Sequence, residues 1–166
     1  MVSDFESFSA AVRESGAVGL GGAGFPTSVK LDAEKKGLIN TVIINGAECE
    51  PYITSDTQTM LNDGADIYDG MMLLKRFISA KQFFIGIESN KKQCINKLRM
   101  LFAEEENENV SVISLPSTYP QGGEKVLVYH TTRKIIPSGK LPVDAGCIVA
   151  NCTTIAVIGA YLKTGM

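Results

Sequence analysis

Cysteine is scarce in this 166-residue chain and poorly spaced for metal. Cys49, Cys94, Cys147 and Cys152 are scattered without a C-x-x-C pair, which argues against a zinc ribbon or an iron–sulfur cluster and for buried free thiols. Histidine is scarcer still. His130 stands alone at the end of an apolar stretch with no acidic neighbour in sequence, so it supplies no Ser/His/Asp or Cys/His arrangement and reads as structural. With protein acids and bases so poorly supplied, a bound cofactor has to carry any difficult step. Positive charge is not in excess either: 16 Lys and Arg face 18 Asp and Glu, and Lys91-Lys92 and Arg133-Lys134 are isolated pairs. No nucleic-acid partner is expected. The longest apolar stretches, such as 41–44 and 147–150, fall far short of the roughly 20 residues that span a bilayer. Ser3-Asp4-Phe5-Glu6 lacks the basic start and apolar run of a secretory signal, so a cytoplasmic chain is expected.

What the chain does contain is ordinary globular composition, 45% hydrophobic and 20% charged, at a length that suits one domain over residues 1–166. Ser3 with Glu6 reads as a capping box for a helix carrying Phe5, Phe8 and Val12 on one face, stopped by Gly16. Residues 41–44, Thr-Val-Ile-Ile, read as a strand buried on both faces. Ile67, Met71, Leu74 and Ile78 recur at helical spacing between Asp66 and Ser79, and residues 83–87 form a second apolar strand. Ile95, Leu98 and Leu101 mark a helix running into the acidic Glu104-Glu105-Glu106, followed by a strand from Val110 to Leu115. A helix from Gly122 through Tyr129, a loop from Arg133 to Gly146, a strand from Cys147 to Ala150 and a helix from Ile155 to Leu162, capped by Thr153 or Thr154, complete the pattern. Strands alternating with helices predict an α/β fold: a mainly parallel sheet flanked by helices, Rossmann-like.

In such sheets ligands sit beyond the carboxyl ends of the strands, and three unusual segments fall there. Gly19-Leu20-Gly21-Gly22-Ala23-Gly24-Phe25-Pro26-Thr27 has four glycines in six positions. That lets backbone N–H groups approach a phosphate without Cβ obstruction, and Lys30 follows. The segment is neither a dinucleotide fingerprint, which needs a strand just before it, nor a Walker loop; a glycine-rich turn packed between helix and sheet is the structural alternative. The second segment, Asn45 to Tyr52, offers Asn45 to a ring edge, with Glu48 and Glu50 beside it. Metal ligation by these two carboxylates is disfavoured because no histidine lies near. The third, Tyr119-Pro120-Gln121-Gly122-Gly123-Glu124-Lys125, joins a strand end to a helix N-terminus, where free N–H groups favour an anion. Tyr119 offers an aromatic face, and Glu124 or Lys125 a group to fix a sugar or phosphate. An ordinary loop is the alternative.

Taken in order, Gly19 to Lys30, Asn45 to Tyr52 with Asp56, Tyr119 to Lys125, and Pro137-Ser138-Gly139 with Leu141-Pro142 resemble the RnfC-like family of the Rnf electron transport complex and its relatives among cobalamin reductases and amino-acid-reductase accessory proteins. More distantly the chain is similar to the NADH-binding flavoprotein subunit of respiratory complex I. The resemblance implies FMN and NAD(H) stacked together. The FMN phosphate would rest against Gly19, Gly21, Gly22, Ala23, Gly24, Lys30 and the turn from Asn151 to Thr154. Asn45, Glu48, Glu50, Tyr119, Gly122, Gly123 and Glu124 would line flavin and nicotinamide, with Phe25 as a stacking group. The chain departs from the complex I pattern at Leu20, Ala47 and Gly123, where that pattern has Arg, Asp and Glu.

The implied function is electron transfer: FMN-dependent oxidation of NADH, or the reverse, with electrons passed to iron–sulfur centres on other domains or subunits. Those clusters would sit on domains absent from this chain, making it a fragment of a larger protein. Its partners would be the other domains of that protein and electron-acceptor subunits, through which it could be peripheral at the inner face of the cell membrane. Two other readings stay open: a non-catalytic nucleotide-binding or docking module of an electron-transfer or reductase complex, and a soluble nicotinamide dehydrogenase.

Overall fold

The computed structural model describes residues 2–19, 24, 26–104 and 107–165. Helix α1 (Phe5–Glu14) begins at Asp4, whose carboxylate accepts from the Ser7 N–H at 2.8 Å while the Ser7 hydroxyl accepts from the Asp4 N–H at 3.1 Å. This reciprocal box lies one residue beyond the expected Ser3/Glu6 pair. Ser3 instead donates its hydroxyl to Asp4, which leaves the stronger, ionised acceptor facing the helix end. Phe8 and Val12 point inward, and the chain turns out of the helix at Gly16.

A short helix, α2 (Thr27–Leu31), follows the glycine segment and runs into a 3-10 turn at Asp32–Lys36. Then come β1 (Thr41–Gly46), α3 (Ser55–Asn62), α4 (Gly64–Phe77), β2 (Gln82–Glu88), α5 (Lys92–Leu101), β3 (Val110–Leu115), α6 (Glu124–Thr132), a 3-10 turn at Pro142–Ala145, β4 (Cys147–Asn151) and α7 (Cys152–Thr164). The four strands form one parallel sheet in the order β3-β2-β1-β4. The expected Rossmann-like architecture is therefore present.

Alternation along the strands divides the core unequally. Val42 and Ile44 of β1 face a large cluster that includes Phe8, Met60, Ile67, Met71, Leu98 and Ile155. Ile43, one residue out of phase, joins Leu115, Leu127, Val128 and Val149 on the other face under α6. Helices α4 and α7 pack backbone to backbone at Gly70 and Gly159: a Cβ on Gly159 would stand 2.1 Å from the Asp66 carbonyl oxygen, and one on Gly70 2.3 Å from that of Ile155.

Several element ends differ from expectation for identifiable reasons. Ile78 is extended (φ -111°, ψ 129°), so α4 stops at Phe77, although Ile78 stays buried. Helix α5 ends at Leu101, short of the acidic run; carboxylates are disfavoured at the negative end of a helix. Helix α6 extends to Thr132, its last hydroxyls bonding back to Leu127 and Val128 carbonyls. The cap of α7 is Asn151, neither Thr153 nor Thr154: its Oδ1 accepts from both of their N–H groups, at 2.8 and 3.3 Å. Among the described residues no helix is long and apolar enough to cross a membrane.

Candidate functional site

The strand order carries a switch in direction. From β1 the chain adds β2 and β3 on one side, then returns through α6 to add β4 on the other, so the strand order reverses at β1, the place where sheets of this kind take their ligands. Two asparagines end those strands side by side, since Asn45 and Asn151 are register partners. The segments Asn45 to Tyr52 and Tyr119 to Lys125 send residues to this edge, and Lys30 reaches toward it from α2.

The loop after β3 crosses to β1. Asn45 Nδ2 donates to the Gly122 carbonyl at 3.0 Å, while Asn45 Oδ1 accepts from the Ala47 N–H at 3.0 Å. The Gly122 N–H points at Cys49 Sγ, 3.4 Å away. Only glycine fits at 122, because a Cβ would lie 2.9 Å from the Ala47 carbonyl oxygen. Cys49 is half-buried, whereas Cys94, Cys147 and Cys152 are buried, and all four are free thiols. Burial pushes the thiols of Cys94, Cys147 and Cys152 up, Cys152 furthest.

The base of the glycine segment is held by a bridge between Val18 and Pro26 and by the Gly24 N–H donating to Gly19 at 3.1 Å. The Thr154 hydroxyl donates to the Val18 carbonyl at 2.9 Å, which brings this base to the N-terminus of α7. Leu20, Gly21, Gly22, Ala23 and Phe25 lie outside the described residues. From α2, Lys30 Nζ reaches the Glu124 carboxylate at 2.7 Å and the Val149 carbonyl at 2.9 Å, tying the glycine segment to α6 and β4.

Two further carboxylates organise the edge from beneath. Asp56 accepts from Asn151 Nδ2 and the Thr153 hydroxyl, each at 2.8 Å, and so fastens the start of α3 to the start of α7. Glu48 accepts from the Asp56 N–H at 2.8 Å, the Thr57 hydroxyl at 2.6 Å and Lys91 Nζ at 3.1 Å. Its side chain is 3% exposed. Burial works to raise its pKa, but the Thr57 hydroxyl, the Asp56 N–H and Lys91 outweigh that and hold it below the usual carboxylate value. Glu88, at the end of β2, is pushed the other way by burial, in spite of Lys91 and the Glu48 N–H.

Lys30, Asn45, Glu48, Gly122, Glu124, Asn151, Thr154 and Gly19 are thus joined by contacts at one edge, with Gly123 between Gly122 and Glu124. Glu50 and Tyr119 stay exposed on the flanking loops, Tyr119 to 71%. Glu48 presents little of its carboxylate to a ligand and acts as the anchor of α3. Sequence reasoning missed Lys91 and Thr57, and it passed over Lys91 as part of an isolated basic pair; the signal available was its position just after the end of β2. His130 pairs with Gln121, Nδ1 to Nε2 at 2.8 Å.

The donor set suits a flavin nucleotide. The half-buried ammonium of Lys30 attracts a phosphate, and Tyr119 offers an uncovered ring face, while the hydroxyls of Thr153 and Thr154 and the first N–H groups of α7 are engaged by Asp56, Val18 and Asn151 and brace the edge. Depressions elsewhere, one beside Phe5, Glu34, Lys35 and Phe77 and one beside Lys125, Tyr129, His130 and Ile135, each hold a lysine but neither of the strand-end asparagines.

Known proteins share the sequence and the fold of this chain. The RnfC-type component of the proton-translocating ferredoxin:NAD(+) oxidoreductase complex of Clostridium ljungdahlii is 39% identical over 155 residues, covering 93% of this chain and 33% of its own length. Its counterpart in the Na(+)-translocating ferredoxin:NAD(+) oxidoreductase complex of Acetobacterium woodii is 39% identical over 163 residues, 98% of this chain and 36% of its own. The chain spans about a third of the length of these relatives. Crystal structures of an NAD+-reducing NiFe hydrogenase share the fold. In the H2-reduced state the TM-score is 0.83 at 21% identity, and in the air-oxidized state 0.85 at 22%, each over 97% of this chain and 31% of the other. The Nuo51 FMN-binding domain family matches residues 12–160, nearly the whole length in which the sheet, its switch point and the surrounding loops are built, and the chain belongs to that family.

Proposed function

We propose that this chain binds FMN and NAD(H) at the carboxyl edge between β1 and β4 and passes electrons between nicotinamide and iron–sulfur centres on other domains or subunits. The observation that carries the reading is the meeting of Asn45, Asn151, Lys30, Gly122 and Glu124 at the switch point of the sheet, inside a family of FMN-binding domains. Names of the curated relatives, components of ferredoxin:NAD(+) oxidoreductase complexes, support the nicotinamide partner and an electron-transfer complex. The chain would then be one domain of a longer protein. It would lie on the cytoplasmic side, held at the membrane through partner subunits.

Bound FMN supplies the chemistry, exchanging a hydride with nicotinamide and single electrons with an iron–sulfur centre. The protein's own groups bind and orient. Lys30 and the glycine segment (Gly19, Gly21, Gly22, Ala23, Gly24) hold the phosphate, and the turn from Asn151 to Thr154 braces the base of that segment through the Thr154 hydroxyl on Val18. Asn45, its amide engaged by Gly122 and Ala47, sets the loop after β3 at the ring edge, Tyr119 and Phe25 supply flat apolar surface, and Gly122 and Gly123 let backbone approach. Glu50 faces nucleotide hydroxyls, and Glu124 holds Lys30 before a ligand arrives. Glu48, fixed by Thr57 and Lys91, keeps the Asn45 to Tyr52 loop in register with the strand below it. No side chain needs to donate a proton, and His130 is already engaged with Gln121. The contribution is alignment of two rings, which supplies much of the rate in such transfers.

The purified chain should take up FMN with a change in its visible spectrum, and anaerobic NADH should bleach that spectrum. Lys30→Ala and Asn45→Ala should weaken FMN uptake. A colourless protein that binds NADH but refuses FMN would sink the flavin assignment and favour the docking module.

A further inference from the structure

We propose that Glu124 is a stand-in anion for Lys30, displaced when a phosphate group arrives, so that this carboxylate sets how strongly the site prefers phosphorylated over unphosphorylated flavins. The proposal rests on the reading of this edge as a flavin nucleotide site. Lys30 Nζ stands 2.7 Å from Glu124 Oε1 and 2.9 Å from the Val149 carbonyl. The carbonyl contact fixes the ammonium against β4, two residues before its carboxyl end, so Lys30 stays in place whichever anion it meets. The two side chains are 25% and 43% exposed, so a ligand can reach the pair, and the more exposed member is the carboxylate.

A dianionic phosphate and a carboxylate at one ammonium repel each other, and the ligand has to drive Glu124 away. Glu124 has somewhere to go. It is the first residue of α6, a nine-residue helix whose cap residue is Gly123 and whose N-terminus receives no side-chain hydrogen bond from that cap. Free N–H groups there favour a carboxylate. At α7 the equivalent end is closed by Asn151, which is itself tied to Asp56. The pair Lys30–Glu124 is therefore the contact at this edge most easily exchanged for a phosphate.

The test compares the wild-type chain with Glu124→Gln, which keeps side-chain size and removes the charge, by calorimetric titration with FMN and with riboflavin at low salt. FMN should bind the variant about two- to fivefold tighter, the range expected from freeing a half-exposed ion pair. Riboflavin, which has no phosphate, should bind both proteins equally. The gain for FMN should vanish when Lys30→Ala is added to both. An equal gain for riboflavin, no gain for FMN, or a loss would each overturn the exchange while leaving the flavin site standing. If the wild-type chain takes up no FMN, the site reading fails and the exchange fails with it.

Discussion

Glu48 is a charged side chain that is 3% exposed and has every one of its contacts inside the edge it supports. Its carboxylate caps α3 from outside the helix, through the Asp56 N–H and the Thr57 hydroxyl, and pairs with Lys91. Because these contacts hold its folded pKa below the unfolded value, the stability it contributes is present above the ordinary glutamate range and is lost as pH falls through the folded value. Glu48→Gln should therefore cost about 1–3 kcal/mol near neutral pH, and the gap to wild type in urea melts should narrow as the pH is lowered into the acid range. A gap independent of pH would remove charge from this account. Asn45 could be picked out in the sequence because it ends a buried strand, and Lys30 and Glu124 because each follows a cluster of glycines. The job of Glu48 could not, since Lys91 lies 43 positions away and nothing in local spacing joins them.

Helices α4 and α7 meet where neither tolerates a side chain. Gly159 presses on the Asp66 carbonyl and Gly70 on that of Ile155, so a methyl group at either place forces the helices apart. Gly159→Ala should destabilise by about 1–3 kcal/mol or more, although alanine favours a helix over glycine by about 1 kcal/mol. A chemical melt that shows the substitution neutral or stabilising would disprove the close packing. The strands were legible in β-branched runs such as Thr41 to Ile44, and α1, α4 and α5 in the spacing of Phe8 and Val12, of Ile67, Met71 and Leu74, and of Ile95 and Leu98. Helices α2 and α3 were not. Each is short, and α3 buries only Thr59 and Met60, too few to leave a periodic trace; its start is set by Glu48 from outside the helix and by the tie of its own Asp56 to Asn151 and Thr153. Glycines inside α4 and α7 argued against helix by propensity, and their reason emerges only when the two helices are seen together.

At the scale of the whole molecule, the architecture follows from strands that alternate with helices, whereas the site follows from connectivity. The reversal at β1 decides that Asn45 and Asn151 become neighbours, and no local pattern encodes strand order. The family resemblance supplied what local patterns lacked, because four ordered segments constrain the fold more than any one of them. The same arrangement distributes the thiols unequally. Cys94, Cys147 and Cys152 are sealed in the core, while Cys49 stands half-open beside Gly122, where two loops of the proposed flavin site touch. The native protein should then titrate one thiol with a colorimetric disulfide reagent and four after denaturation; two or more fast-reacting thiols in the native state would contradict the packing. That half-buried thiol is an attachment point for a fluorescent or spin probe that the native sequence already carries where the two loops meet.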